Sequence, residues 1–300
     1  MAVDATTHSI LVRLSRERIT FEPYPHAWTP EALEPAYYAE LEASFPSLER
    51  IAGPGPLANN RPFRLPACEV FEDPAIPEIW RRFFEYHCSG AFLREQLSLW
   101  RAAIEREYPD VEARFGKSLT EITGDVRLYR EGSLPENLVE NLRADAMLDC
   151  QFVVNSPVTK PCSVRGSHVD RPYKLFVALL YFRHPEDRSS GGNLRIERLR
   201  APGRRFDRRQ HVDERFVECC AEIPYAPNTL VAWLNTARSV HAVTPRLLAP
   251  LPRRYVNFLT ECYALRSETF FEPEWTLPAR IHATAKRVIR RRALRSAAAR

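Results

Sequence analysis

The chain has 300 residues, of which 45% are apolar and 27% charged, a balance that excludes collagen-like and wholly disordered proteins. Its 43 basic and 38 acidic residues leave a net charge of +5, too small to announce a nucleic-acid binder. The longest apolar run, 175–182, falls far short of the ~20 residues a membrane helix needs, and 25 prolines against 10 glycines favour fixed turns and strand ends over a helical bundle.

Residues 1–15 carry Asp4 and the polar Thr6, Thr7 and His8 where an export signal would have a basic segment and an apolar core. Seven cysteines without paired spacing fit reduced thiols, so the cytoplasm is the expected compartment. A helical pattern covers 31–45, and 74–116 reads as two or three more helices that bury Trp80, Phe83, Phe84, Phe92, Leu93, Leu97 and Trp100 at spacings of three and four. After Gly124 the texture changes to short runs rich in Val, Phe, Tyr and Leu, which predict strands over 126–130, 149–155, 174–182, 193–198, 216–223, 229–234 and 254–264. Strands in such number without intervening long helices predict a mainly β fold with a helical flank, its core an antiparallel sandwich or barrel of the jelly-roll type. Accordingly, residues 1–120 are expected to form a mainly helical N-terminal flank packed on a core of 121–270. Within that core, the Arg-rich stretch 200–215 is expected to be a solvated loop, and Cys219-Cys220 an ordinary pair of packed strand residues pointing to opposite faces. A basic tail, 271–300, completes the chain. Its residues 278–300 hold eight Lys or Arg and no acid, as a solvated terminal helix or one that meets an acidic partner or surface.

His168-Val169-Asp170 stands just before the apolar strand 174–182, and His241 follows Asp170 by 71 residues, just after the strand 229–234. Two imidazoles and one carboxylate make a facial triad, which holds Fe(II) on one side and leaves positions open for cosubstrate and dioxygen. Residues two apart on an extended segment share a face, so His168 and Asp170 can reach one metal. His211-Val212-Asp213 repeats the tripeptide, but it lies in the Arg-rich stretch with no apolar strand after it and reads as surface. Beyond His241, a strand opens with Arg253-Arg254. A guanidinium near an iron site can hold the far carboxylate of a dicarboxylate cosubstrate by paired hydrogen bonds. Alternation sets Arg254, Val256 and Phe258 on one face and Arg253, Tyr255 and Asn257 on the other, so one of the two points inward; Arg254 is preferred, then Arg253, then Arg246.

These residues together resemble the Fe(II)- and 2-oxoglutarate-dependent oxygenases, in particular their prolyl-hydroxylase-like branch. The resemblance covers about 125–265 and rests on His168-x-Asp170, Leu180-Tyr181-Phe182, Gly191-Gly192-Asn193-Leu194, the run from Ala226-Pro227-Asn228 to Trp233, His241 to Pro245, and Arg254-Tyr255-Val256. It implies a double-stranded β-helix with the metal at its mouth. His168, Asp170 and His241 are then the iron ligands and Arg254 the 2-oxoglutarate anchor, although the thirteen residues from His241 to Arg254 are slightly more than the branch usually has. Related halogenases carry Gly or Ala in place of the carboxylate, so Asp170 implies hydroxylation or a related oxidation such as desaturation. The implied reaction uses dioxygen, decarboxylates 2-oxoglutarate to succinate and carbon dioxide, and can be stimulated by ascorbate. Gln151 and Asn155, four apart on one strand, share a face and are candidates for binding cosubstrate or substrate, or else plain polar positions. Tyr173 and Tyr181 read as core or rim. Arg165, just ahead of the triad, is either a contact for an anionic substrate or a surface cation. The substrate class extends from small molecules, amino acids and sugars to peptides and glycans. The competing readings are a jelly-roll binding protein without catalysis and a zinc or manganese enzyme with the same ligands.

Overall fold

In the computed structural model, which describes residues 8–130, 134, 136, 138–201, 203, 205–265, 269–281 and 284, the chain builds two facing sheets and a helical layer. The strands are β1 (His26–Thr29), β2 (Pro62–Pro66), β3 (Gly124–Val126), β4 (Ala146–Asn155), β5 (Lys174–Tyr181), β6 (Leu194–Leu199), β7 (Val217–Ile223), β8 (Leu230–Leu234), β9 (His241–Val243) and β10 (Arg253–Glu261). The larger sheet has the order β1-β8-β5-β10-β4-β2, all antiparallel, with β3 added to β4 in parallel. The smaller sheet runs β7-β6-β9.

The apolar runs of β4, β5, β8 and β10 are continuous because both faces of the larger sheet are covered. Alternation sends Val177, Leu179, Tyr181, Val231, Trp233 and Leu259 to the inner face, where they pack on Leu194, Ile196 and Ile223 of the smaller sheet. The intervening residues, among them Phe152, Val154, Leu180, Val256 and Phe258, face the helical layer. That layer comprises α1 (Pro35–Ala43), α2 (Leu48–Ala52), α3 (Ala67–Glu72), α4 (Glu78–His87), α5 (Gly90–Leu99), α6 (Arg101–Glu107) and α7 (Val111–Phe115). In α4 the spacing of three, four and seven residues puts Trp80, Phe83, Phe84 and His87 on one buried stripe. Trp80 meets Phe152 edge-on with ring centroids 4.6 Å apart, and Phe84 lies 4.7 Å from the same ring. Ser89 caps α5 by accepting the Phe92 N–H, and Trp100, non-helical at φ −93° and ψ 7°, divides α5 from α6. The stretch 74–116 therefore holds four short helices where periodicity predicts two or three.

Three strands escape the sequence pattern because they are short. β1 and β2 come from the N-terminal third yet form the two edges of the larger sheet, and β2 begins and ends with proline, which a sheet tolerates only at an edge. β9 spans three residues. Two further expectations are corrected. The Arg-rich stretch 200–215 is not simply solvated: Phe206, Gln210 and Val212 are buried, and Val212 packs in one cluster with Val169. Cys219 and Cys220 do not pack inside; both are exposed, because β7 is the edge of the smaller sheet and its register against β6 shifts beside them. No helix among the described residues is long and apolar enough to cross a membrane. Of the basic tail, Trp275 and Ala279 pack beside Phe206, while 282–283 and 285–300, where the contact with an acidic partner is expected, lie outside the described residues.

Candidate metal centre and cavity

His168 and His241 are brought together by the backbone before their side chains are considered. The His168 N–H donates to the His241 carbonyl at 3.0 Å and the His241 N–H to the His168 carbonyl at 2.9 Å, the doubly bonded arrangement of an antiparallel pair. Their rings consequently lie 4.1 Å apart, and Asp170, two residues on, shares their side. One ligand atom from each of His168, Asp170 and His241 lies within 4.8 Å of the others, and all three residues are buried.

Both imidazoles are oriented by carbonyls two residues back. Nδ1 of His168 lies 2.8 Å from the Gly166 oxygen and Nδ1 of His241 2.9 Å from that of Ser239, so in each ring Nδ1 carries the proton and the Nε2 lone pair is free for a metal. Burial, together with the facing His241, pushes the His168 imidazole well below its ordinary pKa, and burial lowers that of His241. Burial works against the Asp170 charge, but Lys174, whose Nζ stands 3.1 Å from Oδ1, outweighs it with help from the imidazoles and Arg165; the carboxyl stays well below the usual range. Two neutral nitrogens and one ionised oxygen converging on a buried point suit a divalent first-row metal, with part of its coordination sphere left open to the cavity.

That cavity has a volume of about 520 Å³, enough for a small ligand. Val177, Leu179, Leu194 and Trp233 form apolar walls beside the ligands. Arg253, Tyr255, Asn257, Leu259 and Glu261 line it from β10, every second residue of one strand. Arg253 is 1% exposed, its guanidinium about 5 Å from the rings of Tyr181, Tyr225 and Tyr255. Its Nε donates to the Gly192 carbonyl at 2.9 Å, its buried Nη2 has no hydrogen-bond partner, and no carboxylate pairs with it among the described residues. Gly191 and Gly192 make room for this arrangement. A Cβ on Gly191, at φ +81°, would sit 1.8 Å from the Pro245 oxygen, and one on Gly192 would press on Arg246 and Arg253 at 3.1 to 3.3 Å.

Arg254, preferred over Arg253 on the sequence, does not line the cavity. Arg254 points to the other face of the sheet, pairs with Glu42 of α1, donates from Nε to the Phe182 carbonyl at 3.0 Å and lies over the Phe45 ring. Arg246 is buried outside the cavity, where its Nη2 reaches Asp187, Ser189 and the Leu251 carbonyl. Gln151 does line the cavity, but its amide is held between Asp149 (2.7 Å) and Asn257 (3.2 Å). Asn155 stands opposite Arg253 in the register, fully buried, with neither amide atom hydrogen-bonded. His211 is half-buried and Asp213 exposed: the segment runs antiparallel beside His168, with the two rings 5.8 Å apart, although His211 is not among the three converging side chains. Sequence reasoning missed Lys174, and also Arg127, which reaches into the cavity and joins Asp149 to Glu261 behind it. Only the alternation of Arg253, Tyr255, Asn257 and Glu261 along one strand carried a signal for this polar lining.

No protein-family model matches the chain, and no curated protein matches it by sequence. Among solved structures it is similar to a prolyl-4-hydroxylase of Pseudomonas putida, at 14% identity over 82% of this chain and 98% of that one, with a TM-score of 0.39. A prolyl hydroxylase of Trichoplax adhaerens, solved with a peptide fragment of hypoxia inducible factor, aligns at 12% identity over 82% and 89% of the two chains, TM-score 0.42. The non-haem alpha-ketoglutarate-dependent carbocyclase SnoK of nogalamycin biosynthesis aligns at 10% identity over 92% and 93%, TM-score 0.43. In structure, then, the chain is similar to prolyl hydroxylases and to non-haem 2-oxoglutarate-dependent enzymes.

Proposed function

We propose that the chain is an Fe(II)- and 2-oxoglutarate-dependent dioxygenase that hydroxylates, or otherwise oxidises, an unactivated C–H bond of a small-molecule, amino-acid, sugar or peptide substrate. The observation that carries this reading is the convergence of His168 Nε2, His241 Nε2 and the Asp170 carboxylate at the wall of a cavity that also holds the unpaired Arg253. The strand order supports it, since β8-β5-β10-β4 facing β7-β6-β9 fits a double-stranded β-helix, and in this reading 121–270 is the catalytic core and 1–120 its flank. Seven free thiols suit the reducing cytoplasm.

Bound iron would supply the activation of dioxygen, chemistry that no side chain here provides. The chain's part is binding and exclusion. Neutral His168 and His241 and ionised Asp170 supply three ligands in fixed orientation, needing no proton release at neutral pH. Arg253 would take the far carboxylate of 2-oxoglutarate. Tyr181, Tyr225 and Tyr255 hold the guanidinium in place, and Val177, Leu179, Leu194 and Trp233 keep water from the reacting side.

The test is succinate formation from 2-oxoglutarate in air with added Fe(II) and ascorbate. Turnover in the parent that disappears in Asp170→Ala and needs far more 2-oxoglutarate in Arg253→Gln is the expected result. A parent that binds neither iron nor 2-oxoglutarate refutes the proposal and leaves a non-catalytic binding protein.

A further inference from the structure

We infer that the substrate of this site is anionic, and that Arg64 and Arg165 bind its carboxylate, phosphate or sulfate group at the cavity mouth; the inference rests on the oxygenase reading for the word substrate, but not for the existence of an anion site. The cavity is lined by six cations, Arg64, Arg127, Arg165, Arg171, Lys174 and Arg253, and three carboxylates, Glu69, Asp170 and Glu261. Most of these charges are already matched. Arg127 is enclosed by Asp149 and Glu261, and Lys174 lies against Asp170. Arg253 would be taken up by the cosubstrate's far carboxylate; a divalent metal and a dianionic 2-oxoglutarate together add no net charge, so loading the site leaves six cations against three carboxylates along the lining.

Arg64, Arg165 and Arg171 remain. None forms an ion pair with a carboxylate among the described residues; Arg64 and Arg171 are exposed, while Arg165, only partly exposed, is opposed by its burial and by the like charges of Arg64 and Arg171, which Asp170, already against Lys174, offsets only in part. Desolvating a guanidinium beside two others opposes folding unless something negative compensates. A brace for the fold would have been given a carboxylate, as Arg127 was. Their positions fit one ligand. Arg64 lies on the edge strand β2 opposite Val153, which is itself opposite Tyr255, so its side chain belongs to the face that lines the cavity. Arg165 is three residues before His168 and lines the same cavity, its carbonyl accepting the Val243 N–H of β9 in the smaller sheet at 3.1 Å. An oxyanion held between them would fix the rest of a small molecule across the metal ligands, with fork-like donors on two sides.

The experiment is a calorimetric titration of the full chain, with Mn(II) and 2-oxoglutarate present, using phenyl phosphate, benzoate and the neutral benzamide as probes. At least one anionic probe is expected to bind where benzamide does not, which also separates phosphate from carboxylate as the preferred group. Arg64→Gln and Arg165→Gln should each weaken that binding fivefold or more, Arg165→Lys should recover part of it, and Arg188→Gln, which removes an exposed cation outside the cavity, should leave it unchanged. The melting temperature of Arg165→Gln should be no lower than the parent's. The inference is overturned if neither anion binds, if benzamide binds equally well, if only Arg253→Gln weakens the anion, or if Arg165→Gln lowers the melting temperature as loss of a structural brace would. Should the chain take up neither Mn(II) nor 2-oxoglutarate, the oxygenase reading fails by itself, and the same probe titration without them still decides the anion site.

Discussion

Exchanging the adjacent arginines for glutamine one at a time separates two roles that the strand assigns to its opposite faces. With Nε of Arg253 occupied by the Gly192 carbonyl, its terminal amino groups remain for a carboxylate. Hydrogen bonds to charged groups contribute about 1.5 to 3 kcal/mol each. Loss of two, partly replaced by the glutamine amide, leaves a deficit of about 3 kcal/mol, or roughly a hundredfold in Kd. Arg254→Gln instead breaks a pair with Glu42 whose side chains are 12% and 19% exposed, and removes a cation from over Phe45. Its cost should appear as about 2 kcal/mol of stability, with 2-oxoglutarate affinity within about twofold of the parent. Anaerobic calorimetry with Mn(II) in place of iron measures the affinities without turnover, and urea denaturation measures the stabilities. Weak cosubstrate binding in Arg254→Gln together with parental binding in Arg253→Gln would refute the assignment.

The same strand explains why the three side chains of the candidate metal site could be picked out in the sequence and the cavity-facing arginine could not. His168, Asp170 and His241 stand out by residue type and by the strands beside them, because a metal site calls for particular donors. Alternation likewise establishes that Arg253 and Arg254 oppose one another, but not which face is the wet one; that depends on the phase of β10 against β4 and β5 and on what covers each side. Val256 and Phe258 share a face with Arg254, and that apolar company belongs to the helical layer, where Phe258 packs near Phe83. Tyr255, Asn257 and Glu261 mark the cavity side, a mixed set of modest contrast in a strand buried on both faces. Lys174 could not be foreseen, since its partnership with Asp170 needs the turn between them to fold back. The repeated tripeptide at His211 is surface only in part: Asp213 is exposed and His211 half-buried, whereas Val212 is buried because a loop rich in arginine is drawn against the segment of His168 by the backbone bonds from Val169 to Gln210 and from Val212 to Ser167.

Metal binding should stabilise the folded chain by about 2.7 kcal/mol at a hundred times Kd, raising the melting temperature by about 5 °C, and Asp170→Ala should abolish that rise; a full rise in the variant would exclude Asp170 as a ligand. Gly191→Ala, which sets a Cβ against the Pro245 oxygen, should lower the melting temperature far more than Gly53→Ala, which meets nothing within 4 Å and bears only the strain of its positive φ. Equal losses would show that the loop after His241 moves freely. Acid stability offers a test far from the metal. His87, inside the helical layer, donates from Nδ1 to the Phe83 carbonyl at 2.7 Å and accepts the Ile10 N–H on Nε2 at 3.1 Å, so its environment admits only the neutral ring. Burial holds its pKa at about 3, against 6.5 when unfolded. Between those values the unfolded chain binds the extra proton, so the His87 contribution is intact above pH 6.5 and is lost as pH falls toward 3. By pH 5 the loss is about 2 kcal/mol. From pH 7.5 to pH 5 the unfolding free energy measured in urea should therefore fall by that much less in His87→Gln, which cannot titrate, than in the parent; equal falls would mean that the ring is free to protonate in the folded chain.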